Sequence, residues 1–301
     1  MTEKTFCCET ALKDDASLPG TAVHVDVWIL LEYAYAWKDK AMEDNLLPSA
    51  VSESFKRLTE EFTALGLKLR VQLIKQASSE LQSPKLFFAD GRDSETRLMT
   101  SQLNGYDTFP LLSATQLLEK NVTGFTPYTD EIYLICTNGQ RDVCCSRFGR
   151  PLYRKLHEHY GDRIWQTTHL GGHRYAPNLL CLPTGYVYGF VDPTISEELV
   201  ENHDNKVLDI NRLRGRSHYT PHAQAAEIFV RQQHNLVRNT DISCGSASLQ
   251  NEESSVQYSS VNYKGKVEGE IYLRKEALPN TPTSCEPTPK PRAHFTRQSS
   301  N

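Results

Sequence analysis

The sequence predicts an α/β protein in which two similar units follow one another along the chain. Two runs carry this prediction, VDVWILLEY (25–33) and DEIYLICTN (130–138), which begin about 105 residues apart. Both are almost continuously apolar and rich in β-branched or aromatic residues, which is typical of buried strands. Each run is followed by a helical pattern and then by a second strand pattern. We therefore expect two related strand–helix–strand units in tandem.

The first unit continues with one helix and two further strands. Its helix is predicted from apolar residues that recur at the spacing of one helical face, and Gly66 is expected to end it. Those apolar residues are Val51, Phe55, Leu58, Phe62 and Leu65. LKLRVQLI (67–74) alternates between apolar and other residues, as a half-buried strand does, and KLFFAD (85–90) is a further strand candidate.

The second unit repeats this order of elements. Its helix is predicted from one apolar face and from Gly161 at its end. The residues of that face are Phe148, Leu152, Leu156 and Tyr160. RIWQTTHL (163–170) is predicted to be a strand, and NLLCLPTGYVYGFV (178–191) a hairpin that turns at Pro183-Thr184-Gly185. A strand, a helix, a strand and a hairpin are the element order of a thioredoxin-like unit, although many α/β folds begin in this way.

The chain beyond residue 192 is expected to be less regular. Ser196 and the Thr220–Pro221 pair are predicted to begin two helices. Residues 239–262 are polar and are predicted to form a loop, GKVEGEIYLRK (265–275) an edge strand, and the proline-containing end from Leu278 a disordered tail. The predicted domains are a unit over residues 1–120, a second unit over 121–193 that extends with its helices to about 240, and a mostly irregular extension over 241–301.

Composition and charge exclude several classes of function. The chain has 301 residues, of which 39% are hydrophobic and 23% charged, and its net charge is −4. These values leave no broad basic surface for nucleic acid or for an anionic membrane. No apolar run reaches the roughly 18 residues of a membrane-spanning helix. The start, MTEKTFCCETALKDD, lacks the apolar segment of a signal peptide and is too acidic for a transit peptide. The predicted location is therefore the cytoplasm.

Cysteine and histidine residues cluster where two strands of the second unit end. Three of the eight cysteines lie in CTNGQRDVCC (136–145), and HLGGH follows at 169–173. Cys136 is predicted to end one strand, Cys144 and Cys145 to enter the next helix, and both histidines to follow the next strand. Since the carboxyl ends of parallel strands share one edge of a sheet, these side chains are expected to meet there. The Gly-Gly pair allows the tight turn that this requires.

Three interpretations of this cluster are open from the residues alone. Thiolate and imidazole are ligands that zinc and iron–sulfur clusters prefer. Alternatively, the cysteines are buried structural residues and the histidines lie at the surface. The third interpretation is a catalytic thiol. It is the weakest of the three, because the C-x8-C spacing differs from the C-x-x-C of thiol redox sites. A shared metal or cluster site is therefore favoured.

The same residues resemble a known family, the sucrase/ferredoxin-like proteins. The specific part of the resemblance is the combination of C-x4-R-D-x2-C with H-x-G-G-H-R, and the whole resemblance extends over about residues 7–240. The stretches that carry it are CTNGQRDVCCSRFGRPLY, WQTTHLGGHRYAPNLLCLPTGYVYG, ETALKDDASLPGTAVHVDVWILLEY and LRGRSHYTPHAQAAEIFVR.

This resemblance implies a thioredoxin-like ferredoxin domain with a [2Fe–2S] cluster, held by Cys136, Cys145, His169 and His173. The adjacent Cys144 offers another thiol one residue away, so the choice between the two sulfurs stays open. The first unit has no matching cysteine or histidine after its first strand. We therefore interpret it as a degenerate copy without a cluster, so that the second unit alone carries the cofactor.

The function implied by the resemblance is one-electron transfer to or from a partner redox protein, without nucleic acid or membrane as partner. Two alternatives use the same part of the chain: a zinc-stabilised binding module with these four ligands, and a thiol redox enzyme. No glycosidase activity is expected, because sucrose hydrolysis needs two carboxylates and Asp142 is the only acid in the motif. A redox carrier without catalytic activity of its own is the favoured reading.

Overall fold

The computed structural model describes residues 6–80, 82–92, 96–119, 121–250, 253–262, 265–278, 284–285 and 292–298. This part of the chain forms a mixed α/β fold with six α-helices and fourteen strands. In chain order they are α1 (Cys7–Lys13), β1 (Val27–Glu32), α2 (Ser49–Ala64), β2 (Leu69–Lys75), β3 (Lys85–Asp90), β4 (Arg97–Gln102), α3 (Ala114–Leu118), β5 (Thr126–Pro127), β6 (Ile132–Cys136), α4 (Val143–Tyr160), β7 (Ile164–Thr167), β8 (Leu179–Leu182), β9 (Tyr186–Tyr188), α5 (Ser196–Asp204), β10 (Leu213–Arg216), α6 (Pro221–His234), β11 (Ile242–Gln250), β12 (Glu253–Asn262), β13 (Gly265–Leu278) and β14 (Arg292–Arg297).

The chain divides into two compact units. The central unit comprises Val25–His169 and Leu180–Gly185, and the terminal unit comprises Met1–His24, Leu170–Leu179 and Tyr186–Asn301. Both predicted strand–helix–strand units lie within the central unit. Within the described residues, no helix combines the length and the apolar character needed to cross a bilayer.

Two strand–helix–strand motifs build the sheet of the central unit. β1 pairs in parallel with β2, and β6 pairs in parallel with β7. β3 lies antiparallel to β1, and β8 lies beside β6. The two motifs meet through β2 and β7, where Ile74 lies opposite Thr167 and Lys75 opposite Gln166 in antiparallel register. The two motifs therefore share one sheet, and the domain boundary at residue 120 stays a prediction.

The core of the central unit follows the predicted periodicity. All six residues of β1 are buried. The helix α2 buries Val51, Phe55, Leu58 and Phe62, as its spacing predicts. Leu65 was expected on the same face but is 49% exposed, because the helix ends at Ala64 and Gly66 turns the chain away with a φ of 73°. The predicted apolar face is therefore buried along the whole of α2, and only Leu65, just beyond the last residue of the helix, differs from the prediction.

The terminal unit contains a four-stranded sheet that packs on α6. Its strands run in the order β11–β12–β13–β14, and all neighbours are antiparallel. The apolar side chains between the sheet and the helix include Ala226, Val230, Ile242, Val256, Ile271, Leu273 and Phe295. β9 and β10 form a further antiparallel pair in this unit.

The prediction of an irregular extension and a disordered tail is wrong for the described residues after 241. The expected loop over 239–262 contains β11 and β12, and β13 lies inside the sheet, not at its edge. Residues 292–297 form β14. The many serines of β11 and β12 hide the strand pattern, and their few apolar side chains are stabilised by packing against α6. Most of the proline-containing stretch after Leu278 lies outside the described residues.

A buried ion network joins α6 to the neighbouring strand pair. Glu227 Oε1 accepts hydrogen bonds from Arg216 and Arg231, each at 2.8 Å, and from the hydroxyl of Tyr186 at 3.3 Å. Glu227 and Arg231 have fully buried side chains. Burial alone would raise the pKa of Glu227, but the two guanidinium groups outweigh it and the pKa is lowered. The carboxylate is therefore ionised and holds two arginines in the interior.

Replacement of Glu227 by glutamine is expected to destabilise the protein by about 3–5 kcal/mol, because it leaves two buried guanidinium groups without their anion. Urea unfolding followed by circular dichroism measures this loss. The difference is full at neutral pH and shrinks as the pH falls below the ordinary glutamate range, since a group with a lowered pKa stabilises the fold only while it is ionised.

The matched control is Glu253→Gln, which removes a 2.7 Å ion pair with Arg274 whose side chains are 48% and 59% exposed. An exposed pair contributes less than about 1 kcal/mol. Equal losses in the two variants would show that the Glu227 network does not stabilise the terminal unit.

Candidate metal centre

Three of the four predicted ligands lie together in the central unit. Cys136 is the last residue of β6, Cys145 lies in the first turn of α4, and His169 follows the end of β7. The Nδ1 atom of His169 is 3.9 Å from the sulfur of Cys136 and 3.8 Å from that of Cys145. All three potential ligand atoms lie within 4.8 Å of one another. The parallel strands β6 and β7 thus deliver their predicted residues to one edge.

The start of α4 is built to direct Cys145 to this edge. Asp142 caps the helix, and its side chain accepts a hydrogen bond of 2.9 Å from the backbone N–H of Cys144. The backbone N–H of Cys145 donates to the Asp142 carbonyl at 3.1 Å. The capped turn places the Cys145 sulfur with Cys136 and His169. Cys144 is also buried, but its sulfur is not part of this three-ligand group.

A close approach between α4 and β6 holds the two cysteines in place. A Cβ atom on Gly149 would lie 2.2 Å from the carbonyl oxygen of Cys136, so only glycine fits at this point of the helix. Helix interiors disfavour glycine, and its presence among the apolar residues of α4 is a signal of close packing. The sequence contained this signal, but not the identity of the atom that approaches.

The two thiols sit in a setting that disfavours negative charge without a cation. Cys136 and Cys145 are each only 1% exposed. A hydrogen bond with Cys136, followed by burial, raises the pKa of the Cys145 thiol well above its ordinary value, and Asp142 and Cys144 add to this effect. Ionisation of both thiols therefore requires a compensating positive charge, which a metal ion supplies.

The loop after His169 is held by contacts within the terminal unit. Gly171 and Gly172 have φ values of 89° and 71°, as expected for a tight Gly-Gly turn. Arg214 donates to the Gly171 carbonyl at 3.1 Å and to the Asn178 side chain at 2.7 Å, while Asn178 donates to the Gly172 carbonyl at 3.0 Å. The fourth predicted ligand, His173, begins a short 3-10 helix in this unit. Its role as a ligand stays a prediction.

A cleft of about 480 Å³ in the central unit is lined in part by His169. Its rim carries ion pairs between Arg141 and Asp39 at 3.0 Å and between Lys40 and Glu43 at 3.2 Å. His169 is half-buried, whereas both cysteines are enclosed. The histidine is therefore the side of the centre that meets this cleft.

Comparison with known proteins identifies the family of the chain. The model of the sucrase/ferredoxin-like family matches residues 18–215, a range that contains all four predicted ligands. The chain belongs to the sucrase/ferredoxin-like family. The family assignment made from the cysteine and histidine motifs is thereby confirmed.

One curated relative is "Altered inheritance of mitochondria protein 32" of Meyerozyma guilliermondii, which is 35% identical over 91 residues. The match covers 24% of this chain and 32% of the relative, so the chain spans about a third of the length of that protein. No solved structure matches the chain.

Replacement of Gly149 by alanine is expected to disrupt the centre, because the new Cβ would push α4 away from the Cys136 carbonyl. We expect a loss of stability of about 1–3 kcal/mol, as for other overpacked sites, together with weaker metal binding. Arg150→Ala is the control, since this neighbour on the same helix is exposed. Equal metal content and equal stability in the two variants would contradict the role given to Gly149.

Proposed function

We propose that this protein is a one-electron carrier with a [2Fe–2S] cluster bound by Cys136, Cys145, His169 and His173. The observation that carries the proposal is the group of two buried thiols and one imidazole within 4.8 Å at the end of two parallel strands. Family membership supports it, because the family is described as sucrase/ferredoxin-like. The redox partner is a protein, and the cytoplasm stays the predicted location.

The donor set suits this cofactor. Sulfur and imidazole ligands select zinc, copper or iron–sulfur centres over magnesium and calcium, which prefer oxygen. When bound, a [2Fe–2S] cluster supplies one-electron redox chemistry, and histidine ligands raise its potential relative to cysteine ligands. The chain's own part is to enclose the two thiols and to present His169 at the cleft, where a partner can approach.

The geometry also supports a zinc site as the second candidate. Tetrahedral coordination with Zn–S near 2.3 Å and Zn–N near 2.0 Å places sulfur and nitrogen ligands about 3.5 Å apart. The distances from His169 to the two sulfurs, 3.9 and 3.8 Å, are close to that value. A single ion would make the protein a zinc-stabilised binding module. A thiol redox enzyme is not proposed, because the C-x8-C spacing of Cys136 and Cys145 differs from the C-x-x-C of thiol redox sites.

The proposal is tested by purification of the full chain without oxygen, followed by metal and sulfide analysis and by visible and EPR spectra. A coloured protein with about two iron atoms and two labile sulfides per chain, and an EPR signal on reduction, is the expected result. Zinc without iron, even after reconstitution, would support the zinc module. A colourless protein that binds neither metal would overturn both.

The two adjacent cysteines are expected to differ. Cys145→Ser should lose most of its bound iron, because this sulfur faces Cys136 and His169, while Cys144→Ser should keep it. The two substitutions are matched in chemistry and burial, so iron content per chain separates a ligand from its neighbour. Loss of iron in Cys144→Ser, but not in Cys145→Ser, would show that Cys144 is the ligand in place of Cys145.

The two histidines are expected to set the potential. His169→Cys and His173→Cys should each keep a cluster with a lower midpoint potential, because a thiolate adds negative charge to the centre. Redox titration followed by the visible spectrum measures the shift. A potential that is unchanged in both variants would mean that neither histidine is a ligand.

A further inference from the structure

We propose that Arg70 is a positioning residue of the candidate centre, which anchors the backbone of His169 and places a positive charge beside this predicted ligand. The inference rests on the proposed function, because the charge acts on the group that the two cysteines hold. Arg70 belongs to β2, in the first strand–helix–strand copy, which itself carries none of the predicted ligands.

The first observation is a direct contact with a ligand residue. The Nη2 atom of Arg70 donates a hydrogen bond of 2.5 Å to the backbone carbonyl of His169. The guanidinium carbon also lies 6.0 Å from the centre of the Trp28 ring. These contacts connect β2 to the segment that follows β7. They restrict where the His169 backbone, and with it the imidazole, can lie.

The second observation is the charge balance around this guanidinium. Among the residues that the structure describes, no carboxylate forms an ion pair with Arg70. The two acidic residues that line the adjacent cleft form ion pairs with other residues, since Asp39 pairs with Arg141 and Glu43 pairs with Lys40. In the terminal unit, by contrast, Glu227 accepts hydrogen bonds from Arg216 and Arg231. Within the described part of the central unit, Arg70 is therefore a half-buried cation without a carboxylate partner.

The guanidinium group of Arg70 lies within hydrogen-bond distance of a predicted ligand residue, His169. A half-buried cation in this position stabilises negative charge on the group that the ligands hold. When the centre accepts one electron from the partner redox protein, its charge becomes more negative by one, and a nearby guanidinium favours that reduced state. Arg70 thus raises the midpoint potential.

The experiment compares the full-length wild type with Arg70→Gln, Arg70→Lys and Lys40→Gln. Iron and sulfide content are measured first, and midpoint potentials are then measured by redox titration at constant ionic strength. In Arg70→Gln, we expect the ratio of reduced to oxidised centre at a fixed potential to fall about tenfold, which is 59 mV for one electron. Arg70→Lys keeps the charge but loses the planar hydrogen-bonding group, so it should stay closer to the wild type.

Lys40→Gln is the control, because it removes a cation from the same cleft that is 60% exposed and faces solvent. In Lys40→Gln, the ratio of reduced to oxidised centre at the same fixed potential should stay within about twofold of the wild-type ratio, since exposed charges are screened. An Arg70→Gln ratio that also stays within twofold would overturn the inference. If Arg70→Gln does not fold, the test uses Arg70→Lys. A tenfold fall in the ratio of reduced to oxidised centre in this variant, despite the retained charge, would overturn the inference. A ratio near that of the wild type would support it.

Failure of the inference is separable from failure of the proposed function. A wild type without iron and sulfide would overturn the cluster itself, whatever the variants do. A wild type that binds the cluster, with a midpoint potential that does not change in the Arg70→Gln variant, would overturn only the role of Arg70. Loss of the cluster in a folded Arg70→Gln, with full loading of Lys40→Gln, would support the anchoring of His169.

Discussion

The candidate centre depends on the close approach of α4 to the end of β6. At Gly149 the helix has no side chain, and the carbonyl of Cys136 occupies the space that a Cβ would need. This contact brings the first turn of α4, with Cys145, against the last residue of the strand. The parallel pairing of β6 with β7 then adds His169 at the same edge. Without this close approach of α4 to β6, we expect the sulfurs of Cys136 and Cys145 to lie further apart, although the strands of the sheet remain.

The Glu227 network and Arg70 are two different surroundings for positive charge. In the terminal unit, Glu227 neutralises Arg216 and Arg231 and thereby connects α6 to the β9–β10 pair. In the central unit, the half-buried Arg70 donates to the backbone carbonyl of His169. The first arrangement contains its own anion and stabilises the fold. The second has no carboxylate among the described residues, which fits the role proposed for Arg70 beside a centre that carries negative charge.

The sequence predicts well where periodicity carries the information. Apolar spacing predicts the strand β1, the helix α2 and the β6–α4–β7 motif. The proximity of Cys136, Cys145 and His169 follows from their places at the ends of β6 and β7 and at the start of α4. β11, β12 and β14 could not be predicted in this way, because their polar strands are stabilised by the apolar face of α6. Gly149 and Arg70 act through single atoms of distant residues, a kind of contact that spacing along the chain does not encode.

The terminal unit combines stretches from both ends of the chain. The backbone N–H of Cys7 lies 3.5 Å from the sulfur of Cys285, a separation of 278 residues in sequence, and β14 is the last strand of its sheet. The central unit is complete by Gly185. During synthesis, where domains fold from the N-terminal side, the central unit can form while the strands of the terminal unit are still being made. The two sulfurs and the imidazole of the candidate centre can therefore come together before the terminal unit is complete.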